Sequence, residues 1–390
     1  MPQLRVWAAA SAATMCSTLP AFLTGALSVQ IRDDLDYSIT LIGLFIGTAF
    51  AVAGLASASM GRIAQMLGAG RALRIGLTGT AVSMVLIAGA ATRAWHFFVL
   101  VGFSGFVNAL NQPAANLLLA KRVPEGRLGL ALAVKQSGMP GSALLGGAAV
   151  PAIALTAGWR WAYVAAAGLT VVAIGLQPIG AADTVRLAKA RANDARPEMP
   201  TRLLALYATV GLLGATTAGA MVTLLTSGAT NAGMGEGVAG WLLSLGSAAG
   251  IASRLYQGWS VDTRGILPIQ RLIWLLGIGA AGLLLMSLTS PITYAFAVVP
   301  AFAAGWAWPG LFNLSVIRNN PSAPAAATGI TQTGIFVGAG SGPVIGSLIV
   351  DNGGYRPLWI FCAVGLTAGA GVAVYLRTRI KADRQIAALV

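Results

Sequence analysis

The chain has 390 residues, of which 56% are hydrophobic and only 9% charged, and its mean hydropathy is +0.77. That balance excludes a string of water-soluble domains and marks a multi-pass membrane protein. The formal net charge of +14 does not point to nucleic acid, because the basic residues follow a membrane pattern instead of clustering with stacking aromatics.

The apolar segments are long enough to cross about 30 Å of hydrocarbon as helices. Stretches such as "AAGLLLMSLTS" and "AAAGLTVVAIGLQPIG" are continuously apolar, unlike barrel strands, which alternate over about 10 residues. In chain order the predicted spans are 6–29, 39–60, 72–91, 95–120, 128–154, 159–177, 201–229, 236–258, 268–289, 292–317, 324–350 and 355–377. Only five residues precede the first span, which lacks a convincing cleavage site and reads as helix one instead of a removed signal peptide. The stretch "AADTVRLAKARANDARPEMP" (181–200) is the most polar of the chain. The expectation is an all-α membrane fold, with one six-helix unit over 1–178, a linker over 179–200 and a second six-helix unit over 201–390.

With an N-in start, nineteen Lys and Arg residues fall inside and only Arg32, Arg93, Arg160 and Arg356 fall outside. Lys135 and Arg254 are left within the membrane. The excess predicts that both termini and the linker are cytoplasmic. Cys16 and Cys362 both lie in predicted spans, too few and too buried for a disulfide framework.

The two halves repeat. At an offset of 196, "GWRWAYV" (158–164) falls on "GYRPLWI" (354–360), "VKQSG" (134–138) on "ITQTG" (330–334), and Pro113, Arg122 and Gly146 on Pro309, Arg318 and Gly342. Gly61 and Gly68 fall on Gly258 and Gly265 at 197, so one residue of drift lies in span 3 or 9. Because six is even, both copies share an orientation, the parallel repeat of two-bundle transporters.

After span 2 the chain reads "GRIAQMLGAGR" (61–71), and after span 8 "GWSVDTRG" (258–265). Both resemble the loop signature of the major facilitator superfamily, Gly-x-Leu-Ala-Asp-Arg-x-Gly. The second copy keeps Gly258, Asp262 and Gly265, with Arg264 one position late; the first departs, with Gln65 and Met66 where the acid and base are expected. The resemblance implies two pseudo-symmetric bundles of six helices and alternating access. It also implies a cavity lined by spans 1, 4, 7 and 10, and a conformational role for Gly61, Arg62, Gly258, Asp262 and Arg264. Arg254, one turn before the second loop, reads as part of that gating network more than of a substrate site. "GAGSGPVIGS" (338–347) matches a Gly-Pro pattern that proton-driven drug exporters of the superfamily carry in span 5, but here it sits in span 11 and reads as close helix packing with a proline bend.

Lys135 interrupts a small, apolar stretch, "LALAVKQSGMPGSALLGG" (130–147), about 12 Å beyond Arg127 at 1.5 Å per residue. A charge at that depth is costly. No Asp or Glu falls in the middle of any predicted span to pair with it, which leaves snorkelling, loss of its proton, or an incoming anion. Its neighbour Gln136 is the repeat mate of Gln332. Span 4 sets Asn108, Gln112 and Asn116 on one face at i, i+4 and i+8, either lining the cavity or holding helices together, and span 10 offers Trp306, Trp308 and Asn313. Spans 1 and 7 add hydroxyls alone, Thr14, Ser17 and Thr18 and then Thr216, Thr217 and Thr223.

"GFSG" (102–105) has the form of an intramembrane serine protease, but the only histidine, His96, lies on the same span near its outer end. No catalytic dyad or metal cluster results, so the chain is not expected to be an enzyme or to need a cofactor. The expected function is secondary transport of a small anion across a bacterial inner membrane by alternating access, in the character of facilitators for cyanate or organic anions. Its candidate substrate residues are Lys135, Gln136, Asn108, Gln112, Gln332, Trp306 and Trp308. The expected partners are a small-molecule substrate, protons as a candidate coupling ion, and the bilayer, with the protein a monomer. The alternative is proton-coupled export of drugs or other lipophiles.

Overall fold

The computed structural model describes residues 2–123, 125–178, 197–264, 267–320 and 324–387. Most of the expected linker, 179–196, lies outside the described residues.

Sixteen α-helices occupy nearly all of that chain: α1 (Pro2–Ala26), α2 (Ser28–Leu35), α3 (Ile39–Leu67), α4 (Ala69–Ala90), α5 (Ala94–Arg122), α6 (Glu125–Gln136), α7 (Gly138–Ala149), α8 (Leu155–Ala157), α9 (Trp159–Leu176), α10 (Thr201–Asn231), α11 (Glu236–Arg264), α12 (Pro268–Met286), α13 (Pro291–Gly305), α14 (Pro309–Arg318), α15 (Pro324–Gly353) and α16 (Tyr355–Ala387). Among the described residues they make twelve stretches long and apolar enough to cross a bilayer. Helices are the natural answer because hydrocarbon leaves every backbone N–H and C=O to be satisfied within its own segment. Spans 1, 7 and 10 are the most buried of the twelve.

The ends are set by local chemistry. Ser38 caps α3 by accepting from the Leu41 N–H, and Ser290 forms a capping box with Thr293 ahead of α13. Gly158 and Gly354, repeat mates in sequence, both take a left-handed backbone (φ +98° and +80°) and each opens the next helix. The tight turn between spans 5 and 6 is thus rebuilt between spans 11 and 12, which is why "GWRWAYV" and "GYRPLWI" align.

Two spans are not the single helices that their sequence suggests. Span 5 breaks at Ser137 between α6 and α7 and carries a π-helical turn over Val150–Ala154; span 10 breaks over Trp306–Trp308 between α13 and α14. Pro140, Pro151 and Pro309 lack the N–H that would continue the ladder. Pro113, the repeat mate of Pro309, sits inside an unbroken α5, so one residue at equivalent positions gives different backbones in the two halves.

The first six spans meet the last six chiefly along two helix pairs, α3 with α15 and α7 with α11, and α1 also packs on α10. A Cβ on Gly43 would lie 2.4 Å from the Pro343 carbonyl oxygen, and one on Gly147 2.4 Å from that of Gly240. Glycine is what allows such backbone approach. Thr226 Oγ1 donates to the Gly25 carbonyl (3.2 Å), Ser244 Oγ to that of Leu144 (2.8 Å), Gln30 to Glu236, and Thr40 to Asp351. All of these contacts lie on the half of the molecule away from the chain termini, here called the distal half.

Candidate functional site

Lys135 lies in the last turn of α6, at the break in span 5, and is only 2% exposed. Its Nζ donates to Gln112 Oε1 at 2.7 Å, and Gln112 Nε2 in turn donates to Asn108 Oδ1 at 3.3 Å. Lys135 is ten residues into its span from Glu125 and Gln112 ten from Arg122, so both sit about 15 Å along their helices. The side chain therefore runs sideways into span 4 and does not snorkel to the interface.

Asn108 borders a small pocket between spans 1, 2 and 4, lined by Ser17, Thr18, Phe50 and Ser104 among others. Asn116, the third polar residue of the α5 stripe, is exposed, so the stripe passes from enclosed to open toward the terminal face. The other half repeats the link between neighbouring spans with different residues: Gln332 Nε2 on α15 donates to Asn313 Oδ1 on α14 at 3.0 Å. Thr331, the mate of Lys135, is buried and bonds its own helix at the Thr328 carbonyl. One half presents a cation where the other presents a hydroxyl.

Gln136 connects the halves through its backbone. Arg254 on α11 donates from Nη1 to the Gln136 carbonyl at 2.9 Å, and from Nη2 and Nε to the Trp306 carbonyl at 2.6 and 3.2 Å. Its guanidinium carbon lies 5.2 Å from the centre of the Trp306 ring, which meets Phe22 of span 1 at 5.9 Å. Trp308 is 1% exposed and packs on Phe312, with its Nε1 lacking a described partner. It faces Gly214 of α10, away from the Lys135 group in the other half. The hydroxyls of spans 1 and 7 mostly bond carbonyls or neighbouring helices: Thr14 and Ser17 bond their own helix, Thr18 meets Ser142 at 2.7 Å, Thr216 meets Ser341, and Thr217 donates to Cys362.

Of the loop-signature residues, Gly61 and Gly258 have open space around them. Arg264 is exposed and lies 5.3 Å over the Trp259 ring. The side chains of Arg62, Gln65 and Asp262, and the whole of Gly265, lie outside the described residues. Sequence reasoning passed over Phe22, whose ring reaches span 10, and Asn111, which is buried against Gly76 without a described partner for its amide. Neither had a signal, because contacts between distant spans leave no period in a single sequence. Among the described residues no three of His, Cys, Asp or Glu come together as a metal group.

Residues 9–318 match the profile of the Major Facilitator Superfamily. The chain belongs to this family. Members are transporters and not enzymes, and the twelve apolar helices place this one in the membrane as a multi-pass protein. Among the most similar curated proteins are those named Multidrug resistance protein MdtG from Escherichia coli strain K12 / DH10B and from strain UMN026. Each is 24% identical over 372 residues, spanning 88% of this chain and 89% of the relative. Bacterial relatives of that extent go with an inner-membrane location.

Proposed function

We propose that this facilitator moves a small anionic solute by alternating access, with Lys135 as the counter-charge. The observation that carries the reading is a fully enclosed ammonium whose described acceptor is one neutral amide oxygen, Gln112 Oε1. A cation in a low-dielectric site is stabilised by an opposite charge far more than by an amide dipole. Among the described residues no carboxylate bonds it, so an arriving anion supplies what the fold does not. Gln112 and Asn108 extend the recognition as a hydrogen-bonding rail, and Gln332 and Asn313 face the problem from the second half. Trp306, held by Arg254 and touching Phe22, provides an apolar cover between the halves.

The distal contacts support a state closed at the face opposite the termini. With the orientation expected from the Lys and Arg distribution, that face is periplasmic and the site opens to the cytoplasm; the exposed Asn116 fits this direction. A second reading, export of drugs, is favoured by the name of the MdtG relatives. It joins the first if the exported compound is itself an anion.

The test is thermal unfolding of the purified protein against carboxylates, inorganic anions and cationic dyes. A ligand that binds the folded state raises apparent stability by mass action, about 2.7 kcal/mol at a hundredfold excess over Kd. Stabilisation by anions is expected; stabilisation by cationic dyes alone contradicts the proposal and favours a cation exporter.

A further inference from the structure

Arg254 is a half-buried guanidinium with carbonyl oxygens for partners, and both carbonyls sit at breaks in their spans. In a continuous helix the Gln136 carbonyl would accept from the N–H of residue 140, but residue 140 is proline. The Trp306 carbonyl lies in the break that precedes Pro309, where the ladder stops as well. Each therefore sits at the C-terminal, electronegative end of a helix segment, α6 in the first half and α13 in the second. Three N–H groups of a single guanidinium reach both.

We infer that Arg254 is a positioning residue that clasps two helix ends at breaks in their spans, one from each half, and so holds the distal-closed state together at mid-membrane. The bonds to Trp306 stay within the second half. The bond to Gln136 crosses between halves, next to Lys135, so separation of the halves at that level breaks it. Arg254 thereby ties the position of Lys135 to the conformation of the transporter, and among the described residues its charge is compensated by two helix ends and the Trp306 ring. This role does not depend on what is carried.

The test needs no ligand. Leu155 and Val238 are exposed on facing distal segments of spans 5 and 8, so Leu155→Cys with Val238→Cys, spin-labelled in nanodiscs, reports the gap by electron–electron distance; the native cysteines are buried. Arg254→Gln is expected to move the closed-to-open ratio toward open by about tenfold, which corresponds to about 1.4 kcal/mol. Pro140→Ala keeps Arg254 but returns an N–H to the Gln136 carbonyl, and is expected to shift the ratio the same way, with no further change in the double variant. An unchanged distance distribution in Pro140→Ala, or in a folded Arg254→Gln, overturns the inference. Because no solute is present, that failure would leave the Lys135 reading standing.

Discussion

Replacing Lys135 with methionine separates binding from folding. The substitution keeps the volume and removes the charge. It leaves Gln112 Oε1 without its 2.7 Å donor, a cost of about 1–3 kcal/mol for an orphaned buried acceptor. It also removes a cation from mid-membrane, which relieves about 2.5–3.5 kcal/mol on the insertion scale. The two nearly cancel, with the balance toward stabilisation, so Lys135→Met should unfold at the wild-type temperature or slightly above it. Binding has no such offset: losing one partner of a buried charge pair costs at least about 2 kcal/mol, or roughly thirtyfold in anion affinity. Calorimetric titration with the anion that stabilises the wild type, beside unfolding of both proteins without ligand, gives the two numbers. A variant that binds the anion within threefold of wild type refutes the counter-charge assignment. One that unfolds far below wild type instead makes Lys135 a structural cation.

Two further outcomes follow from other parts of the molecule. Gly147→Val places a side chain where even a Cβ would lie 2.4 Å from the Gly240 carbonyl oxygen, and overpacking of about 1–3 kcal/mol should act against the distal-closed state. Val344→Cys, across from Gly47 in the other distal contact, should then react faster with an impermeant thiol reagent; unchanged labelling would show that the glycine contact does not set the equilibrium. At the distal face, Asp34 is held below the ordinary carboxylate range by hydrogen bonds from Arg160 and from Trp159 Nε1. A depressed acid stabilises the fold above its unfolded pKa of about 3.9, and that contribution is lost as pH falls through the lower native value. The unfolding temperatures of wild type and Asp34→Asn should thus differ slightly at pH 7, less in high salt, and converge as the pH drops below about 4; a gap that survives acid contradicts the linkage.

The spans were legible in the sequence because a bilayer demands long apolar helices, and the repeat was legible because Gly158 and Gly354 rebuild one turn. The interruptions of spans 5 and 10 were less so. Pro113 and Pro309 occupy equivalent positions, yet only the second begins a new helix, so a proline alone does not announce a break. Lys135 stood out by its cost, but its partner Gln112 could not be read, since a link between residues 23 apart on different helices has no periodic mark. Arg254 was legible as a charge within a span near the loop signature; that it caps two helix ends depends on how spans 5, 8 and 10 converge, which one sequence does not encode locally.

The cargo proposed for this protein is an anion met by Lys135. Flux of a stabilising anion into proteoliposomes, wild type beside Lys135→Gln, tests it most directly. Saturable anion flux is expected in the wild type, with its loss in the variant. Saturable flux of a cationic dye in both proteins, with no anion flux in either, would contradict it.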